Sequence, residues 1–77
     1  MRKIIIEWKD TTFYNGHYKI EEIKEYGYKT LETIGYLLKN DKDKIIICCS
    51  IETTEENKVC DVYVIPKKSI IKIKYLK

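Results

Sequence analysis

Covalent or metal chemistry in this chain would fall to three thiols (Cys48, Cys49 and Cys60), one imidazole (His17) and the closely spaced carboxylates Glu21, Glu22 and Glu25. Zinc takes four convergent nitrogen or sulfur ligands. The sequence has no Cys-x-x-Cys pair and a single histidine, and the vicinal pair Cys48-Cys49 would point to opposite faces of a strand. Buried, inert thiols are therefore expected, and an odd cysteine count argues against a secreted disulfide scaffold. A nucleophilic Cys or Ser needs a base within hydrogen-bond reach. Only His17 could serve, and it lies beside Asn15-Gly16, where an exposed loop histidine is expected. The three glutamates have the spacing of a solvated helix face. The three glycines are scattered, so no Gly-rich phosphate loop is present. The expectation is a non-enzymatic protein with no metal site and no cofactor.

Binding chemistry has better material. Trp8, Phe13, Tyr14, Tyr18, Tyr26 and Tyr28 cluster near the start of the chain, and ring faces stack on bases. The charge is asymmetric. From Lys58 onward there are six lysines against one acid, Asp61, a balance of +5, whereas residues 1–57 carry nine bases and eleven acids, a balance of −2. A basic C-terminal segment can meet phosphate. The candidate ligand-binding set is Trp8, Tyr14, His17, Tyr18, Lys67, Lys68, Lys72 and Lys74. The same rings would also close the core of a small domain, and lysines on an edge strand also guard against aggregation.

These side chains must be positioned by short elements. Ile4, Ile6 and Trp8 alternate with Ile5, Glu7 and Lys9, which predicts a strand over 2–9. Asn15-Gly16 is a two-residue turn signal; it predicts either a small hairpin between Phe13-Tyr14 and His17-Tyr18 or a loop leading into a helix. Ile20, Ile23 and Tyr26 have helical spacing, with Gly27 as the stop. A helix of two or three turns is unstable alone, so it is expected to pack on the sheet. A strand follows over 30–39, with Gly35 marking a bend or bulge. The run 45–51 is apolar on both faces and predicts a central strand. Residues 59–76 read as strand, turn at Pro66-Lys67-Lys68-Ser69, and strand. In the last strand Ile71, Ile73 and Tyr75 share one face by alternation, and Lys72 and Lys74 share the other. About five short antiparallel strands, one short helix after the first of them and no βαβ spacing point to a small, strongly bent antiparallel β-barrel, as one domain over residues 1–77.

Within that pattern, Gly35, Leu37 and Asp41 followed by Ile45, and then Val64-Ile65-Pro66-Lys67-Lys68-Ser69-Ile70-Ile71-Lys72-Ile73, resemble the two sequence motifs of the Sm-like family of SH3-like barrels. The likeness covers roughly Thr30 to Leu76. Where the family's RNA binders carry Asn in the first motif this chain has Ile45, and Pro66-Lys67 replaces their Arg-Gly, so uridine-rich RNA binding does not carry over. The Trp8-Lys9-Asp10 start, the Gly-containing strand and the Ile65-Pro66 turn resemble small phage-encoded Sm-like proteins. What the resemblance implies is a homo-oligomeric ring or similar assembly built by edge pairing of the last strands.

Size and composition fit that expectation. A 77-residue domain buries only about 60–65% of its unfolded surface, and without disulfides or metal, self-association is the favoured source of further burial. The Ile-, Lys- and Tyr-rich composition, with no Ala and no Gln, matches AT-rich coding, as in a low-GC bacterium or its phage. Apolar runs such as Ile4–Ile6 and Ile45–Ile47 are far too short to span a membrane, and a cytoplasmic location in a bacterial cell is expected. The functional expectation is an oligomeric binding protein that takes up a nucleotide-like molecule, in its sharpest form a phage anti-defence sponge for a cyclic-nucleotide or ADP-ribose-type immune signal. Sm-like binding of RNA or single-stranded DNA, and a structural or protein-interaction role in a phage, are the alternatives.

Overall fold

The computed structural model describes residues 1–54 and 57–77. Isoleucine alternation sets the first strand, β1 (Lys3–Asp10), with Ile4 and Ile6 fully buried and Ile5 and Glu7 on the opposite face. β2 (Lys29–Asn40) runs antiparallel to it, from Lys3 opposite Tyr36 to Asp10 opposite Lys29. β3 (Lys44–Ile51) pairs with the far half of β2, and β4 (Val59–Pro66) pairs with β3. A 3-10 turn (Lys67–Ser69) leads to β5 (Ile70–Tyr75), which returns to the free side of β1. The result is one five-stranded antiparallel sheet in the order β4-β3-β2-β1-β5. The five expected strands are present to within a residue or two, and the run at 45–51 is an interior strand as its two-sided apolar pattern required.

β4 and β5 are consecutive in sequence yet lie at opposite edges of the sheet. That arrangement forces a bend. Trp8, the partner of Ile70, is opposite Leu31, whereas Ile45, the neighbour of Pro66's partner Lys44, is opposite Asn40. Along a straight β2, Leu31 and Asn40 would be about 30 Å apart. The four steps from Pro66 to Ile70 span at most about 14 Å. β2 must therefore curl, and Trp8 and Tyr63 meet edge-on across the concave side, ring centroids 6.3 Å apart. The Lys67 N–H donates to the Asp43 carbonyl (2.9 Å), tying the connecting turn to the β2–β3 turn. Among the described residues the sheet is bent but not closed: β4 and β5 are not paired with each other. The concave side holds the core, Ile4, Ile6, Ile45, Ile47 and Ile65, with Trp8, Leu37, Ile70 and Ile73 packed against it.

Three expectations are corrected. Of the bend or bulge expected at Gly35, the bulge alternative fails, since the bulge of β2 falls between Leu37 and Lys39; Gly35 stands where β3 approaches β2 closely. Ile71 does not share a face with Ile73. A bulge on β5 leaves Glu7 opposite Lys72 but Trp8 opposite Ile70, so Ile70 takes the inward position and Ile71 is 48% exposed. The helix, α1 (Ile20–Ile23), is a single turn with no buried residue, and Ile20 is 71% exposed, so it does not bury a face on the sheet. Local contacts hold it instead. The Tyr14, Tyr18 and Tyr26 rings meet edge-on with centroids 4.8–6.5 Å apart. No hairpin forms at Asn15-Gly16; Gly16 has φ +110°, and the Tyr18 hydroxyl donates to the Asn15 carbonyl (2.6 Å).

The β2–β3 turn is built on Asp41. Its Oδ1 accepts the N–H groups of Asp43 (2.8 Å) and Lys44 (2.9 Å), and the Lys39 and Lys44 ammoniums lie 3.6 and 3.8 Å from Oδ2. The backbone hydrogen bonds from Lys44 and then Asp43, aided by the two lysines, hold its carboxyl below the ordinary value. A depressed carboxylate stabilises the fold above its unfolded pKa of about 4 and loses that contribution as pH falls through the lower folded value. Asp41→Asn is thus expected to flatten the acid limb of Tm against pH below about pH 4. An unchanged limb in thermal melts would contradict it.

Candidate functional site

The thiols and carboxylates stay apart. Cys48 is buried, and burial pushes its thiol up. Cys49 and Cys60 are exposed, which corrects the expectation of three buried thiols; Cys60 is opposite Ser50, the residue after Cys49, in the outer pairing of β3 with β4. As expected for a vicinal pair, Cys48 is covered and Cys49 is not. Among the described residues no three His, Cys, Asp or Glu side chains converge as a metal site. His17 is exposed in its loop, and Glu21 pairs with Lys24 (3.3 Å) in solvent.

The eight residues singled out from the sequence fall in separate places. Trp8 belongs to the core: it packs against the isoleucine cluster and its Nε1–H donates to Thr33 Oγ1 (2.9 Å). Lys72 and Lys74 stand on the convex face, lining a shallow groove of about 230 Å³ with Ile5, Glu7 and Glu32. Glu7 lies between Glu32 on β2 and Lys72 on β5 in the cross-strand register. Two cations and two anions in one groove give little net attraction for an anion. Tyr14 and Tyr18 stack in the 11–28 excursion, which leaves the sheet after β1 and rejoins it at β2. Lys67 is half-buried, with its N–H engaged by Asp43.

Lys68 reaches a different setting. With Ser69 it lines a groove of about 330 Å³ whose other walls are Lys9, Thr11 and Tyr28. The fold explains the meeting. Pairing of Ile70 with Trp8 docks the 3-10 turn beside the end of β1, where Lys9 and Thr11 emerge, and Tyr28 sits just before β2. Among the described residues neither Lys9 nor Lys68 has a carboxylate within ion-pair distance. Two uncompensated ammoniums, two hydroxyls and a phenol ring make a setting for a phosphate next to a planar group. A second recess of about 320 Å³ adjoins it, lined by Thr11, Thr12, Tyr14, Ile23, Tyr26, Gly27 and Tyr28. Thr11 and Tyr28 are common to both. Sequence reasoning singled out Lys68 and Tyr14 but missed Lys9, Thr11, Tyr28 and Ser69 as site residues, counting Tyr28 only among the clustered aromatics. The signal available was that Lys9 lies at the strand end facing away from Trp8; its meeting with Lys68 depends on the β1–β5 pairing.

Neither family models, nor curated proteins, nor solved structures gave a match to this chain. No helix among the described residues is long and apolar enough to cross a membrane.

Proposed function

We propose that this chain is a non-enzymatic binding module that captures a phosphate-bearing, nucleotide-type small molecule in the groove of Lys9, Thr11, Tyr28, Lys68 and Ser69. The observation that carries the reading is the convergence of Lys9 and Lys68, from opposite ends of the sequence, with no acid to neutralise them. Tyr28, 73% exposed, offers a ring beside them. In this proposal the module holds its ligand without converting it. In its sharpest form it is a sponge that withdraws a cyclic-nucleotide or ADP-ribose-type signal.

The module works as a homo-oligomer in this proposal. Its accessible surface of 6439 Å² exceeds the roughly 4,900 Å² typical of a compact chain of this mass. Its radius of gyration of 15.9 Å exceeds the roughly 11–12 Å typical of its length. Among the described residues the outer edges of β4 and β5 have no strand partner and can pair with another copy. The strand order and the short turn that joins the edges support an Sm-like, SH3-like barrel completed in such an assembly.

Native mass spectrometry and calorimetry with cyclic dinucleotides, cyclic ADP-ribose, nucleoside monophosphates and oligouridylate test the reading. Binding of a small phosphorylated ligand is expected, weakening as salt rises. Reversing both charges, Lys9→Glu with Lys68→Glu, is expected to reduce affinity by a hundredfold or more, given about 1.5–3 kcal/mol for each hydrogen bond to a charged group. Binding of oligouridylate alone would favour the nucleic-acid alternative, and no phosphorylated ligand held at millimolar concentration would refute the proposal.

A further inference from the structure

The two grooves beside Tyr28 are the least explained feature of the surface. Each is at the small end of ligand-pocket volumes, about 300–1,000 Å³, at about 330 and 320 Å³. They differ in chemistry. The first has Lys9, Lys68 and two hydroxyls; the second has Tyr14, Tyr26 and Ile23 and no charged lining group. The ring dividing them is set on a fixed backbone. The Gly27 carbonyl before Tyr28 accepts from the Tyr14 hydroxyl (2.8 Å), and the Lys29 N–H after it donates to Thr12 Oγ1 (2.9 Å). Among the described residues the Tyr28 side chain has no ring or hydrogen-bond partner, so neither the core nor the excursion uses it.

We infer that one ligand straddles Tyr28, its phosphate between Lys9 and Lys68 and its neutral base in the recess of Tyr14 and Tyr26. This rests on the reading given above and narrows it to ligands recognised at both ends: a nucleoside phosphate, rather than a sugar phosphate or a free nucleoside. A charged phosphate finds no counter-charge in the uncharged recess, whereas two ammoniums line the neighbouring groove. A base is the poorer occupant of the lysine groove, where it would displace water from two ammoniums without neutralising them. The orientation is therefore fixed by charge. The backbone on either side of Tyr28 is anchored, and its exposed ring is ordered when the ligand binds.

The test compares AMP, GMP, CMP and UMP with the matching nucleosides, ribose 5-phosphate and inorganic phosphate, by calorimetry on the full chain. At least one nucleotide is expected to bind ten times or more as tightly as both ribose 5-phosphate and its own nucleoside. Lys68→Glu should erase the advantage over the nucleoside. Tyr28→Ala should erase the advantage over ribose 5-phosphate, and Tyr28→Phe should retain it. Ring-proton shifts of Tyr14 and Tyr26 should respond to the nucleotide and not to ribose 5-phosphate, a readout independent of any variant's folding. If all four nucleotides bind no better than ribose 5-phosphate, the straddling ligand is wrong while phosphate capture stands. If nothing phosphorylated binds, either in this panel or among the cyclic dinucleotides and cyclic ADP-ribose, both fall.

Discussion

Adding a single methyl group at Gly35 is expected to destabilise the protein by about 2–3 kcal/mol and to lower its Tm by roughly 10–20 °C. A Cβ there would stand 2.7 Å from the Cys48 carbonyl oxygen, 3.2 Å from Ile47 Cδ1 and 3.3 Å from Ile47 Cβ. The first contact is with backbone. Cys48 is opposite Tyr36 in the β2–β3 ladder and opposite Val62 in the β3–β4 ladder, so it cannot retreat without disturbing two pairings. Nor can β2 move away, because Gly35 is also opposite Ile4. The residue stands next to the point where β2 changes partner from β1 to β3, and the close approach lets the sheet curl there. Against a total stability of about 4–12 kcal/mol for a chain of this length, the loss is severe. Gly27→Ala is the control. A Cβ at Gly27 meets nothing within 4 Å, and its φ is not in the left-handed region. That variant should melt with the wild type or gain up to about 1 kcal/mol from a less flexible unfolded chain. Thermal and urea melts of the two variants give the comparison, and Gly35→Ala melting within about 2 °C of wild type would show that no close approach exists.

Local pattern and long-range geometry were unequally legible in the sequence. The alternation of Ile4, Ile6 and Trp8 with Ile5, Glu7 and Lys9 is a period-two signal that survives into the structure unchanged. The apolar run of β3 does lie in an interior strand, but only its first half is covered: Ile45, Ile47 and Cys48 are buried, whereas Cys49, Ser50 and Ile51 are exposed. Alternation fails at bulges, since one inserted residue reverses every later assignment. That is why Ile71 reads as core and is exposed, and why Ile70 takes its place. The helix was legible from Ile20 and Ile23, but the tyrosine contacts that support it within the excursion were not. A ring that stacks on its neighbours and a ring that covers a sheet have the same local pattern. The candidate site was legible only in its ingredients. Lys68 and Tyr14 could be named as a basic group and an aromatic. Lys9 and Lys68 are brought to one groove by β5 crossing to β1, and no local spacing encodes that crossing. Conversely, Lys72 and Lys74 read as a free basic face, and only the register shows Glu7 and Glu32 among them.

The bulge on β5 yields a sharp contrast between two neighbouring isoleucines of identical chemistry. Ile73 is opposite Ile6 and packs on the buried cluster, so Ile73→Asp places a carboxylate against Ile4, Ile6 and their neighbours. Loss of apolar burial together with the desolvation of an unpaired charge is expected to cost about 3–5 kcal/mol, enough to unfold much of the population at 37 °C. Ile71 is the extra residue of the bulge and 48% exposed. Its replacement by Asp should stay within about 0.5 kcal/mol of wild type, and the added charge on an edge strand should if anything resist aggregation. Circular dichroism melts at low protein concentration separate the two. Equal damage from both substitutions would mean that β5 has no bulge and that simple alternation holds to Ile71. Sedimentation adds a second reading of the same variant. Ile71→Asp that melts normally as a monomer but fails to self-associate would place Ile71 between copies, where pairing along the open β5 edge would bury it. Ile71→Asp that self-associates as the wild type does would move the contact between copies away from this end of β5.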